Sequence, residues 1–166
     1  HCGPCACHGH HAPAHAGRSC EQKPPSVQTI KQGMELAAQT SKALDASGAK
    51  VVALGRAGQD LSKYQLRYSH FGWAYKTPQG QWLVDHKLNE CGTSVSHIYR
   101  QGLGEFFLDD LWRFEAVWVV PTPEVQERLY GLLQDRKQVM ALHEPAYSMV
   151  SYPWSTKYQH SNPRAL

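Results

Sequence analysis

Two histidines and a cysteine lie in the aromatic centre of the 166-residue chain. His70 belongs to a first segment, and His86 and Cys91 belong to a second one, residues 81–92. Imidazole and thiol groups can exchange protons or act as nucleophiles near neutral pH. The linking sequence Thr77-Pro-Gln-Gly80 is typical of a turn, so the sequence predicts a hairpin that carries all three groups.

His70 is the candidate general base. Gly72 and Ala74 share its face of the predicted strand, and such small neighbours leave room beside the imidazole. Pairing within the hairpin could bring either Asp85 or His86 alongside His70, because a slip of one residue exchanges the face. Either side chain would then hold the His70 imidazole in the orientation that a general base needs. The alternative is a structural histidine hydrogen-bonded within a polar sheet.

Ser161 is the candidate nucleophile, within Tyr158-Gln-His-Ser-Asn162. The sequence predicts a helix start at Ser161, and a helix N-terminus stabilises a developing anion. A serine still needs a base to take its proton, so His70 and His86 would have to serve it. The alternative is that Ser161 only caps the helix.

The five cysteines occupy positions 2, 5, 7, 20 and 91. A disulfide between Cys20 and Cys91 would anchor the end of the hairpin and would stabilise the fold by about 4 kcal/mol in the chain-entropy model. Such a bond requires an oxidising compartment. The alternatives are that Cys91 is a free nucleophile or a buried thiol.

Residues 1–19 are predicted to be a flexible tail, because they contain almost no large aliphatic side chain. Thiolates and imidazoles suit zinc or copper(I). The spacing is not that of a structural zinc site, so incidental metal affinity is the alternative. The candidate ligands are Cys2, Cys5, Cys7, His8, His10, His11 and His15.

Composition indicates one globular domain over residues 20–166. The formal net charge of +3 and the absence of a Lys/Arg run argue against nucleic acid as a partner. The longest nearly apolar run, Glu115 to Val120, is too short to span a bilayer. The first residue is His rather than Met, and a removed signal peptide is one explanation.

The sequence predicts an α+β fold, with an antiparallel sheet of about four to six strands packed against two or three helices. A helix over 26–46 and another after the N-cap Thr122 flank strands at 50–55 and 111–120, with the central hairpin between them. A short helix is expected over 93–101, and a loop or helical turn over 102–110. The predicted inner stripes are Val27, Ile30, Met34, Ala37, Ser41 and Leu44 in the first helix, and Val125, Leu129 and Leu132 in the second.

Several motifs resemble a family of exported proteobacterial proteins, domain of unknown function 2145. They are Arg67-Tyr-Ser-His-Phe-Gly72, His86-Lys-Leu-Asn-Glu-Cys-Gly-Thr93, Phe106-Phe-Leu-Asp-Asp110, Tyr147-Ser-Met149 and Tyr152-Pro-Trp-Ser-Thr-Lys-Tyr-Gln159. The resemblance implies a signal peptide and a periplasmic or secreted protein, and it favours the Cys20–Cys91 disulfide.

The chain departs from the family pattern near its end. His160 replaces an Asn, and Pro163 and Arg164 replace Gln and Trp, so the terminal helix of the family is expected to be altered or truncated.

A fainter likeness is to circularly permuted papain-like hydrolases of the NlpC/P60 type. It implies His70 as the base and His86 or Asp85 as its orienter. In those enzymes the catalytic cysteine comes late in the sequence. The resemblance places it at or near position 161, where this chain has a serine.

Three functions follow as hypotheses. The first is a non-catalytic envelope protein, with a degenerate papain-like site, that binds a peptide, lipid or partner. The second is a papain-like hydrolase of amide or ester bonds in cell-envelope material. The third is metal binding by the N-terminal tail.

Overall fold

Six strands within the described residues form one antiparallel sheet. A computed structural model describes residues 23–91, 93, 95–135 and 139, and the backbone of 159–161. The strands are β1 (Val51–Ala57), β2 (His70–Lys76), β3 (Trp82–Asn89), β4 (Ser96–Gly102), β5 (Arg113–Val119) and β6 (Gln159–Ser161). Their spatial order is β4-β3-β2-β1-β5-β6, so the predicted central hairpin is confirmed as the β2–β3 pair.

Three α-helices accompany the sheet in the described ranges, which confirms the predicted α+β class. They are α1 (Val27–Ser47), α2 (Leu103–Phe107) and α3 (Pro123–Leu133), and a 3-10 turn spans Ser62–Tyr64. The short helix α2 confirms the helical turn expected over 102–110. The helices and the sheet enclose apolar side chains on both faces of the strands, as expected for two packed layers around a sheet.

Helix α1 begins as predicted, because the Ser26 side chain accepts a hydrogen bond from the backbone N–H of Thr29. The predicted stripe was partly wrong. Ala37 and Leu44 are buried, but Val27 is 84 % exposed, and Ile30 and Met34 are also exposed. The helix turns another face inward, and its buried residues are Gly33, Leu36, Ala37, Thr40 and Leu44.

Gly33 explains this rotation of α1. A Cβ atom at that position would lie 2.9 Å from the backbone oxygen of Phe107 in α2. The two helices therefore approach through the glycine. The apolar period of the sequence could not show that, because glycine carries no hydrophobic signal.

The predicted helix over 93–101 was wrong, because most of this segment is strand β4. Its residues pair with β3 along the whole length of both strands, from Leu83 opposite Gly102 to Asn89 opposite Ser96. Alternate residues face opposite sides of the sheet, as the two-residue period of a strand requires. Pairing with β3, which lies outside the segment, therefore determines that the segment is a strand.

Helix α3 begins at the predicted cap, with the Thr122 hydroxyl accepting from the backbone N–H of Val125. Its inner stripe is shifted by one residue at both ends, to Gln126, Leu129 and Leu133. Gln126 faces inward because its side-chain oxygen accepts from the backbone N–H groups of Lys50, at 2.8 Å, and Val51. A buried polar residue thus fastens α3 to the start of β1.

An ion pair fixes β3 against β4 on the sheet face that α3 covers. Arg100 donates two hydrogen bonds to the Asp85 carboxylate, at 2.9 and 3.0 Å, and one to the backbone oxygen of Leu133. The carboxylate hydrogen bonds raise the pKa of Arg100 above its usual value. Since Asp85 is 1 % exposed, its carboxylate is shielded from water and is paired with this guanidinium.

Replacing Arg100 with Ala is expected to lower the free energy of unfolding by about 3–5 kcal/mol, because it leaves the buried Asp85 carboxylate without a counter-charge. Urea denaturation measures the loss. Lys31→Ala is the control, because Lys31 and Glu35 form an ion pair with side chains 68 and 51 % exposed. That change should cost less than about 0.5 kcal/mol. Equal losses in the two variants would contradict the account.

Gly72 lets β2 and β3 lie close together on the face opposite the ion pair. Gly72 and His86 are directly opposite in the register. A Cβ atom at Gly72 would lie 2.7 Å from Val84 Cγ1, and 2.9 Å from both His86 Cβ and the backbone oxygen of Asp85. The glycine therefore leaves the space that the His86 side chain occupies.

Gly72→Ala is expected to destabilise the protein by roughly 1–3 kcal/mol, because the new methyl group overpacks this point. Thermal and urea unfolding measure the change. Gly131→Ala is the matched control, since nothing lies within 4 Å of a Cβ atom at that helical position. It should stabilise α3 by up to about 1 kcal/mol. A neutral Gly72→Ala would show that the strands tolerate a larger residue here.

Candidate functional site

His70 and His86 form a direct hydrogen bond across the β2–β3 hairpin. The Nε2 atom of His70 lies 2.7 Å from the Nδ1 atom of His86. Because His86 is opposite Gly72, the two histidines are diagonal neighbours on the same face of the sheet. Asp85 lies on the other face, in its ion pair with Arg100. Of the two predicted partners of His70, the structure therefore brings His86 to it.

Gln101 continues this chain from strand β4. Its side-chain oxygen lies 2.7 Å from the Nε2 atom of His86. Tyr99 is directly opposite His86, so Gln101 is again a diagonal neighbour. We call the three residues His70, His86 and Gln101 the relay. Its hydrogen bonds engage both ring nitrogens of His86, which gives the imidazole a defined orientation.

The relay is fully buried at His86 and half-buried at His70. His86 is 0 % exposed, and the Phe106 ring meets it edge-on with centroids 5.2 Å apart. His70 is half-buried, with its ring 6.1 Å from that of Phe106. Helix α2 thus covers the interior end of the relay. His70 is therefore the more exposed of the two histidines.

Arg56 holds α2 in that position. It lies on β1 directly opposite His70, and it is 4 % exposed. Its guanidinium is stacked 4.7 Å from the Phe106 ring centroid, donates to the Phe106 backbone oxygen, and forms an ion pair with Asp109 at 2.7 Å. A permanently positive group therefore lies beside the relay, with its charge balanced by Asp109.

Ser161 is the last residue of β6, and the helix predicted to start there would fall on residues outside the described ones, so that helix start stays a prediction. Ser161 is opposite Ala116 of β5, which is opposite Arg56 of β1, which is opposite His70. Three strand spacings therefore separate the backbones of His70 and Ser161, or about 14 Å. The structure does not bring the two residues together, and a catalytic role for Ser161 stays a prediction.

Cys91 lies exposed in the turn after β3, away from the buried His86. Cys20 lies outside the described residues, so the Cys20–Cys91 disulfide stays a prediction. The predicted metal ligands of the tail also lie outside them, namely Cys2, Cys5, Cys7, His8, His10, His11 and His15. Within the described part of the chain, no group of three His, Cys, Asp or Glu side chains could hold a metal ion.

Gln101 and Arg56 are the site residues that the sequence did not reveal. Gln101 falls in the segment predicted as helix, where it would not share a face with a residue of β3. Read as a strand, the alternation of His97, Tyr99 and Gln101 would have placed it on the face of His86. Arg56 falls one residue beyond the strand predicted over 50–55, and an arginine inside a buried strand is rare.

The helices of the described ranges include none that is long and apolar enough to cross a bilayer. No curated protein and no solved structure matches the chain, so the papain-like likeness stays a prediction. The family model described as an uncharacterised protein conserved in bacteria, domain of unknown function 2145, matches residues 43–166. This match begins within α1 and includes every strand and every relay residue. It covers well over half of the chain, which therefore belongs to that bacterial family.

Proposed function

We propose that this protein is exported to the periplasm or secreted, and that it binds a cell-envelope peptide at the relay without cleaving it. One observation carries the proposal. The predicted base His70 and its predicted partner His86 are hydrogen-bonded at 2.7 Å, whereas the backbone of Ser161, the predicted nucleophile, lies three strands from that of His70. Such a site can orient and hydrogen-bond a ligand. At this backbone separation Ser161 does not supply the contact between base and hydroxyl that acyl transfer requires.

The chemistry beside the relay favours a peptide over a lipid. His70 is half-buried, and Tyr99, opposite His86, is 40 % exposed. An imidazole and a phenol offer hydrogen bonds to amide and carboxylate groups, and the phenol ring adds an apolar surface. An acyl chain would instead need a mainly apolar cleft. The polar and aromatic character of this surface therefore suits a short peptide.

A hydrolase is the second candidate, and the His70–His86 hydrogen bond itself favours it. A base held by a second group through one ring nitrogen can act through the other nitrogen. The bonds attacked would be amides or esters of cell-envelope material. This activity needs a nucleophile within hydrogen-bond distance of His70, a position that Ser161 on β6 does not occupy.

Binding is tested by titrating the full chain with a soluble peptidoglycan stem peptide in a calorimeter. His70→Ala should weaken binding about ten- to a hundredfold, which corresponds to losing one hydrogen bond to a charged group. His97→Ala is the matched control, because His97 lies on the same face of β4 but bonds to Glu90 at 2.7 Å. It should leave the affinity unchanged.

Mass spectrometry of the incubated peptide separates the two candidates. An intact peptide after prolonged incubation supports binding without cleavage. Cleavage that is lost in both His70→Ala and Ser161→Ala would overturn the proposal in favour of the hydrolase. An absence of binding to the wild-type chain would also contradict it.

Export predicts that Cys20 and Cys91 form a disulfide in protein recovered from the periplasm. Peptide mapping without reductant should find a fragment that contains both cysteines, and Cys91→Ala should abolish it. Reduction is expected to lower the free energy of unfolding by about 4 kcal/mol in the chain-entropy model. Alkylation of both thiols before any reductant is added would contradict the pairing.

A further inference from the structure

We propose that strand β4 is the contact between two copies of this chain, which pair edge to edge, in antiparallel orientation, about a two-fold axis at Tyr99. The sheets of the two copies then form one continuous sheet. The proposal concerns the assembly of the protein and does not depend on the binding of a stem peptide at the relay.

Strand β4 forms one edge of the sheet. It comes first in the spatial order of the strands and pairs with β3 on its inner side. In the part of the chain that the structure describes, no strand lies beyond it. An edge strand presents a row of backbone N–H and C=O groups that can pair with a further strand. The outer side of β4 is therefore a template for another chain.

The turn between β3 and β4 shows which residues of β4 face outward. The backbone N–H of Glu90 donates to the oxygen of Val95 at 2.7 Å, and this pair continues the β3–β4 register. Directly hydrogen-bonded pairs recur at every second residue of an antiparallel ladder, so the backbone of Tyr99 bonds to β3. The N–H and C=O groups of Ile98 and Arg100 therefore point away from β3.

The turn at the other end of β3 gives the same alternation. The backbone N–H of Thr77 donates to the oxygen of Gln81 at 2.8 Å, in continuation of the β2–β3 register. It follows that the backbone of Asp85 bonds to β2 and that of His86 bonds to β4. Because His86 is opposite Tyr99, this agrees with an inward-facing backbone at Tyr99.

Strand β4 lacks the usual features that keep an exposed edge from pairing. Such edges are commonly protected by Lys or Pro residues, by β-bulges or by being very short. Residues 96–102 contain neither Lys nor Pro, and the register with β3 is unbroken over all seven of them. The permanent charge of Arg100 is already balanced by Asp85, so a strand laid beside it buries no unpaired charge.

The sequence of β4 is complementary to itself in one register. Two antiparallel copies overlap over all seven residues when Tyr99 lies opposite Tyr99 of the second copy. Ile98 is then opposite Arg100, so their outward-facing backbone groups meet in about four hydrogen bonds across the two-fold axis. A register centred on Ile98 or on Arg100 would shorten the overlap, and the latter would put two guanidinium groups directly opposite one another.

The side chains that this register brings together suit one another. Tyr99 is 40 % exposed, and at the axis it meets the same ring in a non-hydrogen-bonded pair, where opposite side chains lie closest. Aromatic pairs are among the favourable cross-strand pairs. On the other face, the half-buried Ile98 lies beside the aliphatic stem of Arg100. Pairing therefore removes apolar surface from water on both faces.

The assembly would also join the two candidate sites. Tyr99 lies opposite His86 and on the same face as the relay. Two adjacent Tyr99 rings would form an aromatic surface between the two relays. Each copy would thus add a phenol beside the site of the other.

Sedimentation equilibrium of the full chain measures the assembly. The wild type should have twice the mass of a single chain and should dissociate on dilution. Ile98→Pro removes an N–H group that points away from β3, a position where an edge strand tolerates proline, so the dimer should be lost while circular dichroism shows a folded chain. Ile98→Ala is the matched control, because it removes the same side chain, keeps the N–H group and should still form the dimer.

Two charge variants test the register and remain decisive if Ile98→Pro does not fold. Tyr99→Lys and Tyr99→Glu each put like charges opposite one another at the axis, so each variant alone should be monomeric at low salt. An equimolar mixture should form a heterodimer, because opposite charges then meet. A dimer recovered in the mixture cannot result from a general loss of folding.

Hydrogen exchange locates the contact within β4. The amides of Ile98 and Arg100 should be protected in the dimer and should lose that protection on dilution. The amide of Tyr99, which bonds to β3, should stay protected in both states.

Three results would overturn the proposal. One is a wild-type chain that is monomeric at every concentration, and another is a dimer that persists in Ile98→Pro and in both Tyr99 variants. The third is protection of the Ile98 and Arg100 amides that appears only when an unrelated peptide is added, since the edge would then belong to a different partner. These measurements use no stem peptide, so their failure is distinct from a failure of the proposed function.

Discussion

The register between β2 and β3 is the constraint on which the rest of the site depends. Gly72 opposite His86 puts both histidines on the face that α2 covers, 2.7 Å apart. A slip of one residue would turn His86 to the other face and bring Asp85 in its place. The missing side chain at Gly72 leaves room for His86, so local sterics and the register support the same arrangement.

The two faces of β3 and β4 carry different side-chain interactions, an ion pair on one face and the relay on the other. On the α3 face, the Asp85–Arg100 ion pair fixes the strands to one another and to the end of the helix. On the α2 face, the same strands hold His86 and Gln101 in the relay. Since neighbouring residues of a strand face opposite sides, the ion pair also fixes the spacing of the relay. Stability and site geometry are therefore coupled through the strand backbone.

The sequence predicted the parts of this structure that local chemistry determines. The hairpin, the caps Ser26 and Thr122 and the pairing of His70 with an acidic or imidazole partner all follow from turn, capping and alternation rules. Strand β4 and the rotation of α1 depend on contacts with distant elements, β3 and Phe107, which no local pattern reveals. Gln101 was missed for the same reason, because its role exists only once β4 is paired.

The account rests on a continuous hydrogen-bonded path from the half-exposed His70 to Gln101. The most direct test is the scalar coupling between nitrogens across the hydrogen bond that joins the two histidines, measured on the ¹⁵N-labelled protein. We predict a coupling between Nε2 of His70 and Nδ1 of His86, which lie 2.7 Å apart. A spectrum without that coupling would contradict the account.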